Sequence, residues 1–273
     1  MLNKFFKLSI MLLLGLNVAF AEENKQSSMP ENWWQMGSYE YEATDEILTH
    51  FTGKLGYIKK SGNFDEDNFK ATVSAKIRRE HLGLEVTYSL DKEKKIELAD
   101  KDTELTSIEV DDYSVRTVLL YDLTKDFFVS GGFENSRNIS FEMYNKTAIY
   151  AGVGYRALKL KDHKLGIFAA YGTEDISFGN YPILPSGETN GQYYQLNYLW
   201  FINQGAILKL DYSHLLAEMD SRDASTLVIA TKISISDKLS LVLSFTDEYL
   251  EAQETVNRYT HDKTIFTSIQ FDF

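Results

Sequence analysis

The chain has 273 residues, a formal net charge of -12, 14% aromatic residues and no cysteine. The acidic balance excludes a nucleic-acid partner, which needs a basic footprint, and the absence of cysteine excludes a disulfide scaffold and thiolate metal ligands. Three prolines and 16 glycines argue against a collagen-like or disordered chain.

Residues 1–21 read as a cleavable signal peptide. Lys4 and Lys7 supply a short basic region, Leu8 to Phe20 an apolar run, and Ala19-Phe20-Ala21 a small-x-small cleavage site followed by Glu22-Glu23. The run is 13 residues long, too short for a helix across a hydrocarbon core about 30 Å thick. Residues 22–50 are polar and acidic, with Pro30, Trp33 and Trp34, and alternate weakly. They are expected to form a periplasmic lead-in. Trp33-Trp34 would plug the lumen or rest on the inner interface; a poorly ordered tail is the competing reading.

From residue 51 onward the dominant period is two, the signal of strands. Twelve segments follow, at 51–60, 68–78, 81–90, 112–122, 126–134, 146–156, 164–173, 192–201, 206–215, 225–235, 239–248 and 263–273. Each is near the roughly 9–11 residues of a tilted membrane strand. Phe69, Ala71, Val73, Ala75 and Ile77 alternate with Lys70, Thr72, Ser74, Lys76 and Arg78. Leu82, Leu84, Val86, Tyr88 and Leu90 alternate with Gly83, Glu85, Thr87 and Ser89. The final segment sets Ile265, Thr267, Ile269, Phe271 and Phe273 against Phe266, Ser268, Gln270 and Asp272.

An antiparallel sandwich with one wet face would alternate in the same way. Three features favour a transmembrane barrel. Connectors alternate between short, such as Arg79-Glu80 and Ser236 to Lys238, and long, such as 91–111 and 174–191, the asymmetry of periplasmic turns and outer loops. Aromatics recur at strand ends on the apolar face. Phe51, Tyr121, Phe127, Tyr155, Trp200 and Phe271 fit a periplasmic rim; Phe69, Tyr88, Tyr113, Phe133, Tyr171 and Tyr194 fit an outer rim. An even strand count permits closure, which removes the edges that lipid cannot satisfy. The expected fold is therefore an all-β, antiparallel transmembrane β-barrel of about 12 strands over residues 51–273, in the outer membrane.

Gly53-Lys54-Leu55-Gly56-Tyr57, Ser61-Gly62-Asn63 with the acidic residues after it, and Asn68-Phe69 resemble the start of a bacterial outer-membrane family. This is the domain of unknown function 481 family, also called salt-induced outer-membrane proteins. Tyr150 to Arg156, Lys164-Leu165-Gly166 and Ala170-Tyr171-Gly172 resemble its later glycine-alternating strands. Asp65-Glu66-Asp67 is more acidic than the family pattern. The resemblance implies an outer-membrane location and a link to salt stress, and carries over no functional residue. The terminal Phe273 also resembles the C-terminal aromatic that such barrels present to the barrel-assembly machinery.

The chain offers no catalytic constellation. Ser213-His214 is the only adjacent serine and histidine, and neighbours on one strand point to opposite faces. No Gly-x-Ser-x-Gly elbow is present. No metal site or cofactor is expected either. Asp100-Lys101-Asp102-Thr103-Glu104 starts like a calcium loop, but Leu105 stands where the motif needs glycine. The acidic segment 91–111 reads as a solvated loop; cation-bridged contact with anionic lipid is the sharper alternative.

The inferred polar face carries the functional signal. It places Lys54, Lys70, Lys76, Arg78, Arg116, Arg156, Lys209 and Lys232 in the lumen, with Glu85, Glu134, Asp211 and Asp272 as the acids. Basic rings favour anions in a pore. A filled barrel is the competing reading: Glu85 beside Arg116, and Asp211 beside Lys209 and Lys232, would cross-link, while Phe128, Tyr150, Phe168, Phe201 and Phe266 narrow the opening. Barrels of about eight strands are filled and those of about 16–18 hold a channel, and this chain lies between. The expectation is a narrow, monomeric channel for small solutes or ions with anion preference, surrounded by outer-membrane lipid and lipopolysaccharide. A structural or surface-interaction barrel acting through acidic loops is the alternative.

Overall fold

A computed structural model describes residues 45–60, 64–97, 106–138, 143–178, 186–203, 205–218, 223–250 and 261–273. The expected signal peptide 1–21, the segment with Trp33 and Trp34, the motif Ser61-Gly62-Asn63 and the stretch Asp100 to Glu104 lie outside these residues.

The strands are β1 (Leu48–Lys60), β2 (Phe64–Arg79), β3 (Leu82–Glu97), β4 (Thr106–Asp122), β5 (Phe127–Asn138) and β6 (Met143–Lys159), followed by β7 (His163–Phe178), β8 (Gly187–Asn203), β9 (Ala206–Ala217), β10 (Ala224–Ser234), β11 (Leu239–Leu250) and β12 (His261–Asp272). Each pairs with its sequence neighbours, and β12 returns to β1, so the sheet is a closed barrel. At the seam Thr52 lies opposite Asp272 and Leu55 opposite Ile269, in an antiparallel ladder. The Phe51 N–H donates to the Phe273 carbonyl at 3.1 Å, and the Phe273 N–H donates back at 2.9 Å. Closure thus leaves no open edge, the condition for a sheet in hydrocarbon.

One end carries only short connections, of two to four residues: 80–81, 123–126, 160–162, 204–205 and 235–238. A two-residue hairpin needs positive φ in its turn, and Glu80 supplies it at φ 48°. The Thr124 hydroxyl accepts the N–H of Asp126 at 3.2 Å and of Phe127 at 3.0 Å, tightening the next turn.

At the other end the strands run further than the sequence pattern indicates. Segment 91–111, expected as a loop, contributes the end of β3 to Glu97 and the start of β4 from Thr106; segment 174–191 likewise feeds β7 and β8. The register explains how. Lys92 lies opposite Asp111 and Lys94 opposite Glu109, and Lys59 lies opposite Asp67. The backbone ladder thus continues where the apolar alternation has stopped. Much of the acidic sequence is therefore strand, not loop.

The exterior presents apolar side chains all round. Val153, Ile149, Leu243 and Ile265 are more than half exposed, a surface that water does not tolerate over such an area. Tyr121, Phe127, Tyr155, Trp200 and Phe271 are exposed near the short-turn end, and Phe69, Phe133, Tyr171 and Tyr194 near the other. Phe51, Tyr88 and Tyr113 are half-buried. No helix among the described residues is long and apolar enough to cross a membrane. The interior holds a buried apolar cluster: Phe128, Phe168, Leu120 and Ala170 are buried against Tyr150 and Tyr193.

Candidate functional site: the lumen

Strand alternation decides which residues meet inside the barrel. Along β12, Phe266, Ser268, Gln270 and Asp272 are buried while Ile265, Thr267, Ile269 and Phe271 are exposed. The same period places Lys54 on β1, Lys70, Lys76 and Arg78 on β2, Glu85 on β3 and Arg116 on β4 on the inner face with Arg156 on β6, Lys209 and Asp211 on β9 and Lys232 on β10. Their partners, however, differ in part from those the sequence implies.

Near the short turns, Asp122 on β4 accepts hydrogen bonds from Arg78 on β2 and Arg156 on β6. Asp122 and Arg156 are each 1% exposed. The Arg156 guanidinium lies over the Phe128 ring, 4.9 Å from its centroid, a cation–π contact strengthened by desolvation. Nε of Arg78 and both Nε and Nη1 of Arg156 have no hydrogen-bond partner among the described residues. Two buried cations thus share one anion. Further round the ring, Asp272 accepts from Lys232 at 2.6 Å, Gln270 at 2.7 Å and Thr52 at 3.3 Å, with His50 Nε2 at 3.4 Å.

At mid-height Lys76 pairs with Glu85 at 3.1 Å and Lys209 with Asp211 at 2.6 Å. Arg116 donates to the Tyr150 hydroxyl at 3.2 Å and forms no ion pair among the described residues. Lys54 forms neither ion pair nor hydrogen bond among them; Lys76, Lys209 and Lys232 lie within its electrostatic reach. Towards the long connectors, Lys70 pairs with Asp91 at 2.6 Å, and Lys146 lies 3.6 Å from Glu134 and 3.8 Å from Glu174.

Two cavities lie within the lumen. The one nearer the short turns has a volume of about 200 Å³ and is bounded by Lys76, Arg78, Glu85, Phe128 and Lys209. The other, of about 720 Å³, is bounded by Lys70, Asp91, Glu134, Lys146 and Tyr193. Arg116, Tyr150, Gln195 and Asp211 line both and so mark the waist. Lys54, Arg156 and Lys232 line neither cavity.

Two sequence inferences are corrected. Glu85 holds Lys76 rather than Arg116, and Lys232 reaches Asp272 rather than Asp211. Asp91, Asp122 and Glu174 join the lumen acids, so the excess of bases is smaller than the polar-face reading gives. Asp122 and Lys146 were legible in principle, since they share strand parity with Arg116 and Tyr150. Asp91 and Glu174 were hidden because they fall in segments that read as loops.

Glycines decide how much lumen the bulky aromatics consume. A Cβ at Gly154 would run into the Phe128 ring, one at Gly132 into the Tyr150 ring, and one at Gly56 into the Phe266 ring. Each ring therefore lies against neighbouring backbone, where it takes less of the axial space. The Phe128 and Phe168 rings lie near-parallel at 6.2 Å, and Tyr150 lies 5.4 Å from Tyr193.

Ser213 and His214 point apart as expected: Ser213 lines the larger cavity, and the His214 ring stacks on Tyr212 at 6.5 Å. Among the described residues no group of three or more carboxylates or histidines could hold a metal ion.

Comparison with curated protein sequences yields no match. Among solved structures the chain is similar to the COG4313 outer membrane channel from Pseudomonas putida F1, with 12% identity and a TM-score of 0.49 over 86% of this chain and 97% of that one. It is also similar to the NanC porin, at 12% identity and a TM-score of 0.47 over 82% of this chain and 99% of that one. The KdgM porin is a third such structure, at 8% identity and a TM-score of 0.46 over 83% of this chain and 99% of that one. Residues 53–273, the barrel from within β1 to its last residue, match the family model described as Protein of unknown function, DUF481, and the chain belongs to that family.

Proposed function

We propose that the barrel is a narrow outer-membrane channel for small solutes or ions, with a preference for anions. The short turns face the periplasm and the long connectors the outside, following the asymmetry of bacterial barrels. One observation carries the reading: Lys54, without an ion pair among the described residues, lies within electrostatic reach of Lys76, Lys209 and Lys232. Basic side chains around a pore favour anions. The two cavities meeting at Arg116 supply most of the path. Outer-membrane lipid and lipopolysaccharide surround the barrel, the barrel-assembly machinery meets it at Phe273, and it works as a monomer.

Single-channel recording in a planar bilayer under a potassium chloride gradient tests this. Stepwise currents with an anion-selective reversal potential are expected. Joint replacement of Lys54, Lys70 and Lys76 by glutamine is expected to weaken that selectivity. A folded barrel without current would remove the channel.

A second reading has its own support. The Arg78–Asp122–Arg156 cluster and buried Phe128 crowd the short-turn end, as in a filled barrel that acts structurally or through its acidic outer segments. In that case no current flows, and deletion of 95–108 abolishes function without altering permeability.

A further inference from the structure

We propose that the larger cavity binds small aromatic carboxylates, with the carboxylate on Arg116 and the ring against Tyr150 and Tyr193. The inference deepens the channel reading and rests on it in one respect, that solute enters the lumen.

Arg116 is the anion handle. Glu85 and Glu134 lie within its electrostatic reach, but each holds a lysine, Lys76 at 3.1 Å and Lys146 at 3.6 Å. Its Nη2 donates to the Tyr150 hydroxyl at 3.2 Å, and its buried Nε has no hydrogen-bond partner among the described residues. The guanidinium borders both cavities. A planar guanidinium matches a carboxylate with two parallel hydrogen bonds, which a lysine does not. The two flanking glutamates disfavour a dianion and so select a single carboxylate.

The aromatic platform adjoins it. Tyr150 and Tyr193 lie 5.4 Å apart at an interplanar angle of 28°, and Phe168 meets each edge-on at 6.3 Å and 6.4 Å. Gly132 seats the Tyr150 ring on the wall, and Phe168 packs against both rings. Rings fixed in this way lose little freedom when a ligand ring packs on them. The cavity volume of about 720 Å³ lies in the ordinary range for small-molecule sites, roughly 300–1,000 Å³. An aliphatic anion can use only the guanidinium, and a neutral aromatic only the rings. An aromatic carboxylate uses both.

The test is titration calorimetry on the protein purified from outer membranes in detergent, with benzoate, acetate and benzyl alcohol as probes. Benzoate is expected to bind at least about tenfold more tightly than either of the others. Arg116→Gln should remove that advantage and Arg116→Lys restore part of it. Tyr193→Leu should weaken benzoate and leave acetate unchanged, and it keeps the test open should the Arg116 variants misfold. Equal binding of the three probes, or benzoate affinity indifferent to both Arg116→Gln and Tyr193→Leu, overturns the proposal. Currents in potassium chloride separate the two readings. Benzoate binding without current keeps this site and removes the channel; current without benzoate preference removes the site and keeps the channel.

Discussion

Lys232 on β10 reaches past β11 to the carboxylate of Asp272 on β12, 2.6 Å away. Asp272 also takes Thr52 and His50 of β1, so one carboxylate ties three strands around the barrel seam. Asp272→Ala is expected to leave Lys232 unpaired and lower stability by about 2 kcal/mol, less than for a fully buried pair because the Lys232 side chain keeps 14% exposure. The temperature at which gel migration shifts from folded to unfolded reads this out. An unchanged transition would show that backbone pairing alone holds the seam.

Asp122 sits deeper and compensates two guanidiniums. Asp122→Ala leaves Arg78 and Arg156 as buried, uncompensated charges, and an expected loss of about 3–5 kcal/mol follows. Asp122→Asn keeps an acceptor and should cost less. Urea unfolding midpoints of the two variants are expected to fall in that order; the reverse order would contradict the shared-anion arrangement.

The glycine-seated rings predict a rescue. Gly154→Val forces the Phe128 ring off the wall, at an expected cost of about 1–3 kcal/mol. Adding Phe128→Ala should recover part of the loss, since the clash is between these two positions. A double-mutant cycle on unfolding midpoints measures the coupling, and additive effects would show that the ring does not rest there.

Lipid contact predicts a depth dependence. Leu243 is 51% exposed on the outer face of β11, and Leu123 is 55% exposed in a turn. Leu243→Arg should cost about 2–4 kcal/mol and Leu123→Arg at most about 1 kcal/mol. Refolding into vesicles followed by denaturant titration distinguishes them. Equal costs would mean that β11 does not face hydrocarbon at that height.

Pairing state predicts which lysines tune selectivity. Lys54 lacks an ion pair among the described residues, whereas Lys70 holds Asp91 at 2.6 Å. A charge about 8 Å from the permeating ion contributes about 0.5 kcal/mol in water, on the order of twofold in permeability ratio. Lys54→Gln should therefore lower the anion-to-cation ratio more than Lys70→Gln, measured by reversal potential. The opposite ranking would displace the selectivity region from the middle to the outer half.

The sequence pattern puts the first short turn at Arg79-Glu80, one residue early. The observed connection at 80–81 sets Arg79 opposite Leu82, and counting outward places Lys76 opposite Glu85 and Lys70 opposite Asp91. Lys209 and Asp211 follow from same-strand spacing. The outward extension of strands past residue 91 was not readable, because charged residues break the apolar alternation that marks a strand, while the backbone ladder runs on to Glu97 and Thr106.

Sequence alone determined the strand count, the closed antiparallel class and, where the apolar alternation is unbroken, the face on which a strand residue stands, because successive side chains point to opposite faces. Tertiary structure alone decided who meets whom inside. Asp122 joins residues two strands away on either side, Lys232 spans β11, and Arg116 is left to Tyr150. Those contacts depend on ring curvature and on the stagger of non-adjacent strands, and no local pattern of residues encodes either.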